Sequence, residues 1–477
     1  MKKITTLFLL SAMTLSAMAQ QTSFVLKGEV KTPAGKGIAH VVVNDGLHFT
    51  TTDEQGRWTL TSDTCLSKFV AISTPADYEL NNDHGLARFY IPMAKAVKSG
   101  NNNDFVLRKR KKGADRFTYI AISDPQMRNE KEVGRWKNET LKDLTHTVDS
   151  LKSRGEIIGM TLGDLVFDTP NLFPTYAASC QNLGLMMFQT IGNHDLDKRY
   201  QDLHNMRLGT PVYAEQNYFR FFGPTDYSFN IGKIHVVTLK NINYVGHKKY
   251  IEAITDGQLA WLEKDLSYVP KGSTVFLNMH AAAWNTVQGD GNIRNAAELK
   301  QVLKDYRVHV FCGHTHYFQN IVVNDHLYQH NITAACGAWW AGSVGVCGAP
   351  NGYLIVDVNG DDVRWHFKPT GEPVTTQMRL YVPGTFRRDR QHLVANVWDY
   401  DPACTVTWQE DGVDKGTMEQ FTATDEMYIR MENALYRDAG EQPTGHLFRC
   451  KPGKKAKSVT VTFTNRFGEK YKQEIKL

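Results

Sequence analysis

The chain has few cysteines and only one long apolar run, and both shortages exclude classes of protein. Seven cysteines in 477 residues are too few, and odd in number, for a scaffold held together by disulfides. Cys180 and Cys312 lie in or near apolar segments and are interpreted as buried thiols. Two alternative disulfides stay open: Cys404 with Cys450, or Cys336 with Cys347. Beyond the N-terminus, no stretch approaches the ~18 apolar residues that span a bilayer, so no transmembrane segment is expected.

The chain also has only a small excess of positive over negative charge. The formal net charge of +5 is slight for this length, and no basic stripe is present, so a nucleic-acid partner is not expected. One basic run occupies residues 108–112 between two structured stretches. Because no aromatic residues are interleaved with it, we interpret it as a solvated linker rather than a contact with an anionic surface. Internal repeats and low-complexity segments are absent from the sequence.

The N-terminus has the pattern of a secretory signal peptide over residues 1–19. Lys2-Lys3 is the charged start, Ile4 to Leu15 is the apolar segment, and Ala17-Met18-Ala19 is an A-x-A cleavage site. Since no cysteine follows the cleavage site, a lipoprotein is not expected. The sequence predicts an exported protein, periplasmic or secreted, that is cleaved near Ala19.

The pattern of apolar residues changes twice along the chain. Residues 22–110 alternate short strands with Gly-centred turns and predict an N-terminal β-sandwich domain. Residues 115–370 alternate strands with helices, including a near-helical spacing of apolar residues from Val133 to Leu151. Residues 373–477 return to short strands and predict a β-rich C-terminal domain.

Polar motifs in the middle region follow apolar runs of strand character. The motifs are Asp124-Pro125-Gln126, Gly163-Asp164, Gly192-Asn193-His194-Asp195, a lone His280, and Gly313-His314-Thr315-His316. The preceding runs are Phe117–Ser123, Ile157–Leu162, Met186–Ile191, Val275–Met279 and Val308–Cys312. Residues just beyond the carboxyl ends of strands gather at one edge of an α/β sheet, where ligands bind. We therefore expect the motifs to meet in one cleft.

These residue types suit a site with two metal ions. Cleavage of a phosphate ester requires neutralisation of the phosphoryl oxygens and an in-line oxygen nucleophile, which two cations about 3.5–4 Å apart supply. Such a site needs a carboxylate between the ions together with oxygen and imidazole ligands. The inventory that fits is Asp124, Asp164, Asn193, His280, His314 and His316.

Taken together, the motifs resemble those of the calcineurin-like metallophosphoesterases: DxH, GDxxD, GNH[DE], a separate His and GHxH. The resemblance covers residues 115–370, and the flanking domains resemble those of a bacterial secreted branch. It implies a four-layer α/β/β/α sandwich flanked by an N-terminal β-sandwich and a C-terminal β-rich domain. It also implies two divalent ions, Mn, Fe, Zn or similar.

The resemblance also assigns roles to individual residues. Asp124 and His316 would hold the first ion, Asp164 would bridge, and Asn193, His280 and His314 would hold the second ion. His194 would donate a proton to the leaving oxygen, with Asp195 or Asp168 orienting its ring.

Two positions depart from the family pattern. Gln126 replaces the His of DxH, and we interpret its carboxamide oxygen as a ligand that makes the first site weaker. In Gly163–Asp168 the second Asp comes one position late and lacks a following Arg, which weakens the case for a direct role of Asp168.

Further residues are candidates for substrate binding. Trp339 and Trp340 stand between small residues and form either an aromatic wall for the organic part of a substrate or core packing. Arg207 and Arg220 are candidate phosphate contacts within a segment that otherwise has core character. His235, His309 and His330 match no motif and are interpreted as ordinary histidines.

The expected function is hydrolysis of a phosphate monoester or diester through a metal-bridging hydroxide, with a His as general acid. A phosphorylated small molecule, a phosphorylated lipid or an envelope glycan would be the substrate. The alternative is a non-catalytic envelope or glycan-binding protein on a relic phosphoesterase scaffold, which the intact ligand set disfavours. A nuclease on the same fold is disfavoured by the slight net charge.

Overall fold

The computed structural model describes residues 23–111, 113–199, 209–285, 292–436 and 440–477. The predicted signal peptide and Arg207 lie outside these residues. Among the described helices, none combines the length and the apolar character that crossing a membrane requires.

Two small sheets form the N-terminal part. Its elements are β1 (Ser23–Lys31), β2 (Val42–Asn44), β3 (Phe49–Thr51), β4 (Arg57–Asp63), β5 (Phe69–Ser73), β6 (Asn82–Asp83), β7 (Leu86–Ala87), β8 (Tyr90–Pro92), α1 (Met93–Ser99) and β9 (Phe105–Val106). The sheet orders are β4-β1-β9 and β3-β2-β5-β8. Trp58 and Leu60 alternate with exposed residues along β4 and are buried, as a strand with one face on a core requires.

The hairpin β6–β7 leaves this sandwich and extends a sheet of the central region. The elements there are β10 (Arg116–Ile122), α2 (Glu130–Arg135), α3 (Lys142–Leu151), β11 (Glu156–Leu162), α4 (Phe173–Cys180), β12 (Met186–Thr190), α5 (Gly209–Ala214), α6 (Gln216–Phe222), β13 (Tyr227–Ile231), β14 (Ile234–Thr238), β15 (Ile242–Gly246), β16 (Lys249–Glu252), α7 (Asp256–Leu266), β17 (Thr274–Asn278), α8 (Ala296–Val302), β18 (Arg307–Cys312), β19 (Gln319–Asn324), β20 (Leu327–Asn331), β21 (Gly352–Asn359) and β22 (Asp362–Pro369). A π-helical turn, Trp136–Leu141, joins α2 to α3.

Two large sheets face each other in this region. One has the order β22-β21-β10-β11-β12-β7-β6 and the other β13-β14-β17-β18-β20-β19. Strand alternation builds the layers: Tyr119 on β10 points to the inner core, where its ring centroid lies 5.4 Å from that of Phe276. Its neighbours Ile120 and Ile122 belong to the cluster that packs the outer helices. The result is the expected four-layer α/β/β/α sandwich.

Parallel pairing places the motifs at one edge. Strands β10, β11 and β12 are mutually parallel, and so are β14, β17 and β18. Parallel neighbours end on the same side of a sheet. The motif that follows each strand therefore emerges on the same side.

The C-terminal part is a second sandwich. Its elements are β23 (Met378–Tyr381), β24 (Leu393–Val397), β25 (Thr405–Glu410), β26 (Val413–Thr417), β27 (Glu419–Thr424), α9 (Glu426–Tyr436), β28 (Pro443–Cys450), β29 (Ser458–Thr464) and β30 (Lys470–Lys476). The sheet orders are β23-β24-β28-β27 and β26-β25-β29-β30, and Val459, Val461 and Phe463 of β29 contribute to the core between them.

Two expectations from sequence were wrong. All seven cysteines are free thiols, so neither alternative disulfide forms. The basic run is not a solvated linker throughout, because Arg110 is largely buried, pairs with Glu156 and donates a hydrogen bond to the carbonyl of Ala76 at 2.9 Å. It joins the N-terminal sandwich to the central sheet, and a paired, desolvated guanidinium suits that position.

The junction of β7 with β12 gives a test of how the N-terminal part supports the central sheet. Gly85, at φ +86°, precedes β7, and its carbonyl accepts a hydrogen bond from the amide of Met187 at 2.8 Å. A Cβ added there would lie 2.3 Å from the carbonyl oxygen of Cys180. Gly46, at φ +89°, has open space instead.

We expect Gly85→Ala to lower the midpoint of thermal unfolding clearly more than Gly46→Ala does. Both variants incur the strain of a positive φ, roughly 1–3 kcal/mol, but only the first adds a clash with Cys180. Differential scanning calorimetry of both variants measures the difference. Equal shifts would show that the β7–β12 junction does not support the sheet.

Candidate metal centre

The motif residues share an uncommon backbone conformation. Six of them have φ between +43° and +68°, a region that residues other than glycine adopt rarely: Asp124, Gln126, Asp164, Asp168, His314 and His316. Each lies in the turn after a strand, where the chain must reverse sharply. Side chains held at strained positions cluster at functional sites, and these all meet at the sheet edge.

The first group of ligand atoms surrounds Nε2 of His280, a fully buried side chain. Oδ1 of Asn193 lies 3.1 Å away, Nδ1 of His314 lies 3.1 Å away, and Oδ2 of Asp164 lies 3.4 Å away. The ligand atoms of Asp164, His280 and His314 all lie within 4.8 Å of one another. This mixture of nitrogen and oxygen donors suits a divalent transition metal.

The hydrogen bonds of His280 Nδ1 and His314 Nε2, the nitrogens that point away from the site, determine the tautomer of each ring. Nδ1–H of His280 donates to the carbonyl of Leu162 at 2.7 Å, and Nε2–H of His314 donates to Oε1 of Glu252 at 3.1 Å. Because both partners are only acceptors, each neutral ring has its lone pair on the inner nitrogen. Two lone pairs thus face each other across 3.1 Å, and a proton or a metal cation is needed between them.

The charges in this group also require positive charge beside Asp164. Burial alone would lower the pKa of His280, but the Asp164 carboxylate raises that pKa to about 9. Burial alone would raise the pKa of Asp164, but positive charge on His280, His194 and His314 holds it well below its usual value. A buried carboxylate that stays ionised needs positive charge beside it.

The second group contains Asp124, His316 and Gln126. Nδ1–H of His316 donates to the carbonyl of Gly337 at 2.6 Å, so its Nε2 faces inward, 3.5 Å from Oδ1 of Asp124. The other carboxylate oxygen of Asp124 accepts a hydrogen bond from the amide of His314 at 3.0 Å. Oδ1 of Asp124 and Nε2 of His316 thereby point to a position next to the first group, where they could bind a cation.

Gln126 adopts an orientation that differs from the one a metal ligand would need. Its Nε2 donates to Oδ2 of Asp164 at 2.8 Å and to Oδ1 of Asp124 at 3.3 Å. Its carbonyl oxygen instead lies 3.7 Å from Sγ of Cys336. A half turn of the amide exchanges the two atoms, so the ligand role of Gln126 stays a prediction.

His194 lies beside both groups with its ring fixed on two sides. Its ring stacks on Phe167, with centroids 3.8 Å apart and planes at 19°. Nδ1 lies 2.9 Å from Oδ1 of Asp168, and Lys198 Nζ lies 2.6 Å from the same oxygen. Burial alone would raise the pKa of Asp168, but its bonds to His194 and Lys198 lower it. Asp168 is therefore an ionised partner for the His194 ring.

Asp195, the alternative partner of this ring, lies elsewhere. Its buried carboxylate accepts hydrogen bonds from the backbone amides of Gly192 at 2.9 Å and Val166 at 3.2 Å. The expectation that it orients His194 is corrected, because its oxygens hold the two motif loops together instead.

The paired tryptophans have different surroundings. Trp339 is 44% exposed, and its ring centroid lies 4.9 Å from that of His316. Trp340 is buried, and its indole N–H donates to the carbonyl of Pro125 at 2.9 Å. Arg135 also covers its ring at 5.0 Å. The expectation of a substrate wall is therefore wrong for Trp340, which fixes the loop.

The remaining predicted residues lie outside the ligand groups. Arg220 is exposed on α6, 5.7 Å from the ring of Phe221. His235, His309 and His330 are buried away from the motifs: His235 pairs with Asp265, and the other two contact each other.

Three residues of the site escaped the sequence reasoning. Glu252 holds His314, Lys198 holds Asp168, and Cys336 contacts both Gln126 and His316. Lys198 lies four residues after His194, so its spacing was a usable signal. Glu252 offered none, since a carboxylate at the end of a short hairpin is common.

A two-sheet sandwich with buried carboxylates, carboxamides and imidazoles at one edge defines a metal-dependent hydrolase. Three family models match the sequence: calcineurin-like phosphoesterase over residues 117–318, its N-terminal domain over 25–110 and its C-terminal domain over 329–471. The chain belongs to the calcineurin-like phosphoesterases. It is a metal-dependent phosphoric ester hydrolase.

The solved structures that match this chain have low sequence identity to it. A dimetal phosphatase from Danio rerio has 14% identity, covering 54% of this chain and 96% of its own, with a TM-score of 0.36. A purple acid phosphatase from yellow lupin (Lupinus luteus) has 10% identity over 73% and 67%, with a TM-score of 0.38. A structure of PhoD has 9% identity over 95% and 91%, with a TM-score of 0.36. No curated protein matches the sequence.

The bond between Glu252 and His314 predicts an effect on metal affinity. A carboxylate behind a ligating histidine fixes its tautomer, and its loss weakens metal binding about 10–100-fold. We expect that loss for Glu252→Ala and a smaller one for Glu252→Gln, which keeps an acceptor oxygen. Competition with a chromogenic chelator measures it, with the exposed Glu263→Ala on α7 as the matched control. Equal affinity of Glu252→Ala and the control would contradict the assignment.

Proposed function

We propose that this enzyme is exported and hydrolyses phosphate monoesters or diesters with two divalent cations, using His194 as the proton donor. The observation that supports it best is the pair of inward lone pairs on His280 and His314, 3.1 Å apart beside an ionised carboxylate. Export rests on the N-terminal sequence alone.

The residues present fit two cations. Asn193, His280 and His314 would hold one, Asp124 and His316 would hold the other, and Asp164 lies between the groups. Gln126 would complete the second set after a half turn of its amide. When bound, two such cations neutralise the phosphoryl oxygens and make water a nucleophile at neutral pH.

A histidine of the chain itself supplies a proton to the departing oxygen. Asp168 accepts the hydrogen bond of His194 Nδ1 at 2.9 Å, which leaves Nε2 as the atom that faces a substrate. Phe167 prevents rotation of the ring by stacking on it. Protonated His194 then gives the Nε2 proton to the alkoxide as the ester bond breaks.

Lys198 assists by holding Asp168 in place. Its Nζ lies 2.6 Å from the oxygen that also contacts His194, so the carboxylate cannot swing away from the ring. A fixed carboxylate in turn fixes the direction of Nε2, and proton transfer depends on that geometry.

The role of His194 is tested by the dependence of rate on the leaving group. His194→Ala should slow hydrolysis of an alkyl phosphate by about 10²–10⁴-fold, but that of p-nitrophenyl phosphate far less, because nitrophenolate departs without a proton. Asp168→Asn should show the same pattern in weaker form. Steady-state kinetics on both esters, with metal content measured for each variant, provides the comparison.

His146→Ala on the exposed side of α3 is the matched control for loss of a histidine. If His194→Ala lost activity equally on both esters while retaining its metals, His194 would be a binding residue and not the proton donor.

A further inference from the structure

A polar cavity of about 690 Å³ opens beside His194 and is separate from the ligand groups. Asp168 and Lys198, the two residues that fix the His194 ring, form part of its wall. A cavity of this size accommodates a group as large as a sugar or a nucleoside. Because Asp168 and Lys198 hold the ring of the proton donor, the cavity adjoins the side chain that would protonate the departing oxygen.

Two short elements connect the cavity to the metal centre. The hairpin β15–β16 carries Lys248 at its turn, in the cavity wall, and Glu252 at its end, bonded to His314. Helix α6 contributes Arg220 and Asn217 from the other side. The cationic side chains of the cavity are thus fixed to the same framework as a metal ligand.

Two acids in the cavity wall are balanced by two of its cations. Asp168 is paired with Lys198 at 2.6 Å, and Asp197 is paired with Arg199 at 2.5 Å. Both acids have a lowered pKa, Asp168 despite its burial and Asp197 mainly through its bond to Arg199, so each is ionised and balanced by one of these cations.

Two further cations line the wall without a balancing acid. Arg220 and Lys248 are both exposed, and neither has an ion pair within the described residues. The described part of the wall therefore has a surplus of positive charge next to the residues that hold His194.

We propose that this cavity binds the leaving group of the substrate and selects leaving groups that carry a second anionic group, a carboxylate or a phosphate. The inference rests on the proposed function, since it requires His194 to mark the leaving-group side. Arg220 and Lys248 are the specificity-determining residues. A guanidinium offers paired donors to planar or tetrahedral anions, and an ammonium offers a point charge.

Three sugar phosphates of matched size test the selection. Glucose 1-phosphate releases neutral glucose, glucuronic acid 1-phosphate releases a carboxylate, and glucose 1,6-bisphosphate releases a phosphorylated sugar whichever ester is cleaved. We expect kcat/KM for at least one anionic ester to exceed that for glucose 1-phosphate about tenfold, as two partly exposed charge contacts would give. Which anionic ester is preferred distinguishes a carboxylate from a phosphate.

Variants assign the preference to the two cations. Lys248→Gln and Arg220→Gln should each raise KM for the preferred anionic ester about threefold, with kcat for that ester unchanged and a smaller effect on glucose 1-phosphate. The double variant should lose the preference. Lys249→Gln, the next residue of the same hairpin and outside the cavity wall, is the matched control and should behave as the wild type.

The outcomes separate this inference from the proposed function. Hydrolysis of p-nitrophenyl phosphate without any preference among the sugar esters would overturn the inference and leave the phosphoesterase function in place. Equal losses on all three esters in the variants, or a loss in Lys249→Gln as large as in Lys248→Gln, would also overturn it. Failure to hydrolyse any ester after metal reconstitution would overturn both.

Discussion

The rest of the site depends on one constraint: imidazole lone pairs and carboxylates are enclosed together at a buried sheet edge, where only positive charge relieves their repulsion. In their neutral forms, His280 and His314 direct lone pairs at each other, because a carbonyl and a carboxylate accept the hydrogens on the other side of the rings. Leaving such groups unpaired in a buried setting is costly. The strained turns after the strands and the bonds that fix each ring all maintain this convergence.

The C-terminal domain and helix α2 hold the loop that carries Trp339 next to the site. The loop between β20 and β21 contacts the C-terminal sandwich, where Asn396 donates to the carbonyl of Cys347 at 2.9 Å and Arg379 donates to that of Gly348 at 2.8 Å. Arg135 donates to the carbonyls of Trp340 and Gly342 at 2.7 and 3.0 Å. The loop that holds Trp339 beside His316 is therefore fixed from two sides.

The family and the four-layer fold were predictable from the sequence and are confirmed. The motifs follow apolar runs, and the strands lie within one or two residues of those runs, because β-rich apolar segments and the turns after them are local signals. The hairpin β6–β7 was not predictable, since its pairing with Met187 joins residues far apart in sequence. Trp339 and Trp340 are adjacent and chemically alike, so only tertiary packing separates an exposed ring from a buried one.

The partners of the ligands were the least predictable part of the site. Glu252 acts through its contact with His314, and a single charged residue at a hairpin end carries no distinctive pattern. The carboxamide oxygen of Gln126 lies next to the thiol of Cys336, a contact between residues more than two hundred positions apart. Sequence patterns thus indicated which residue types converge, whereas their hydrogen-bond partners required the structure.

Anomalous diffraction from crystals grown with Mn²⁺ tests whether this edge of the sheet binds two cations. We expect two separate peaks, one between Nε2 of His280 and Nδ1 of His314, and one beside Asp124 and His316, with Asp164 contacting both. If no peak appeared and the two histidine nitrogens still shared a proton, a metal centre at this position would be contradicted.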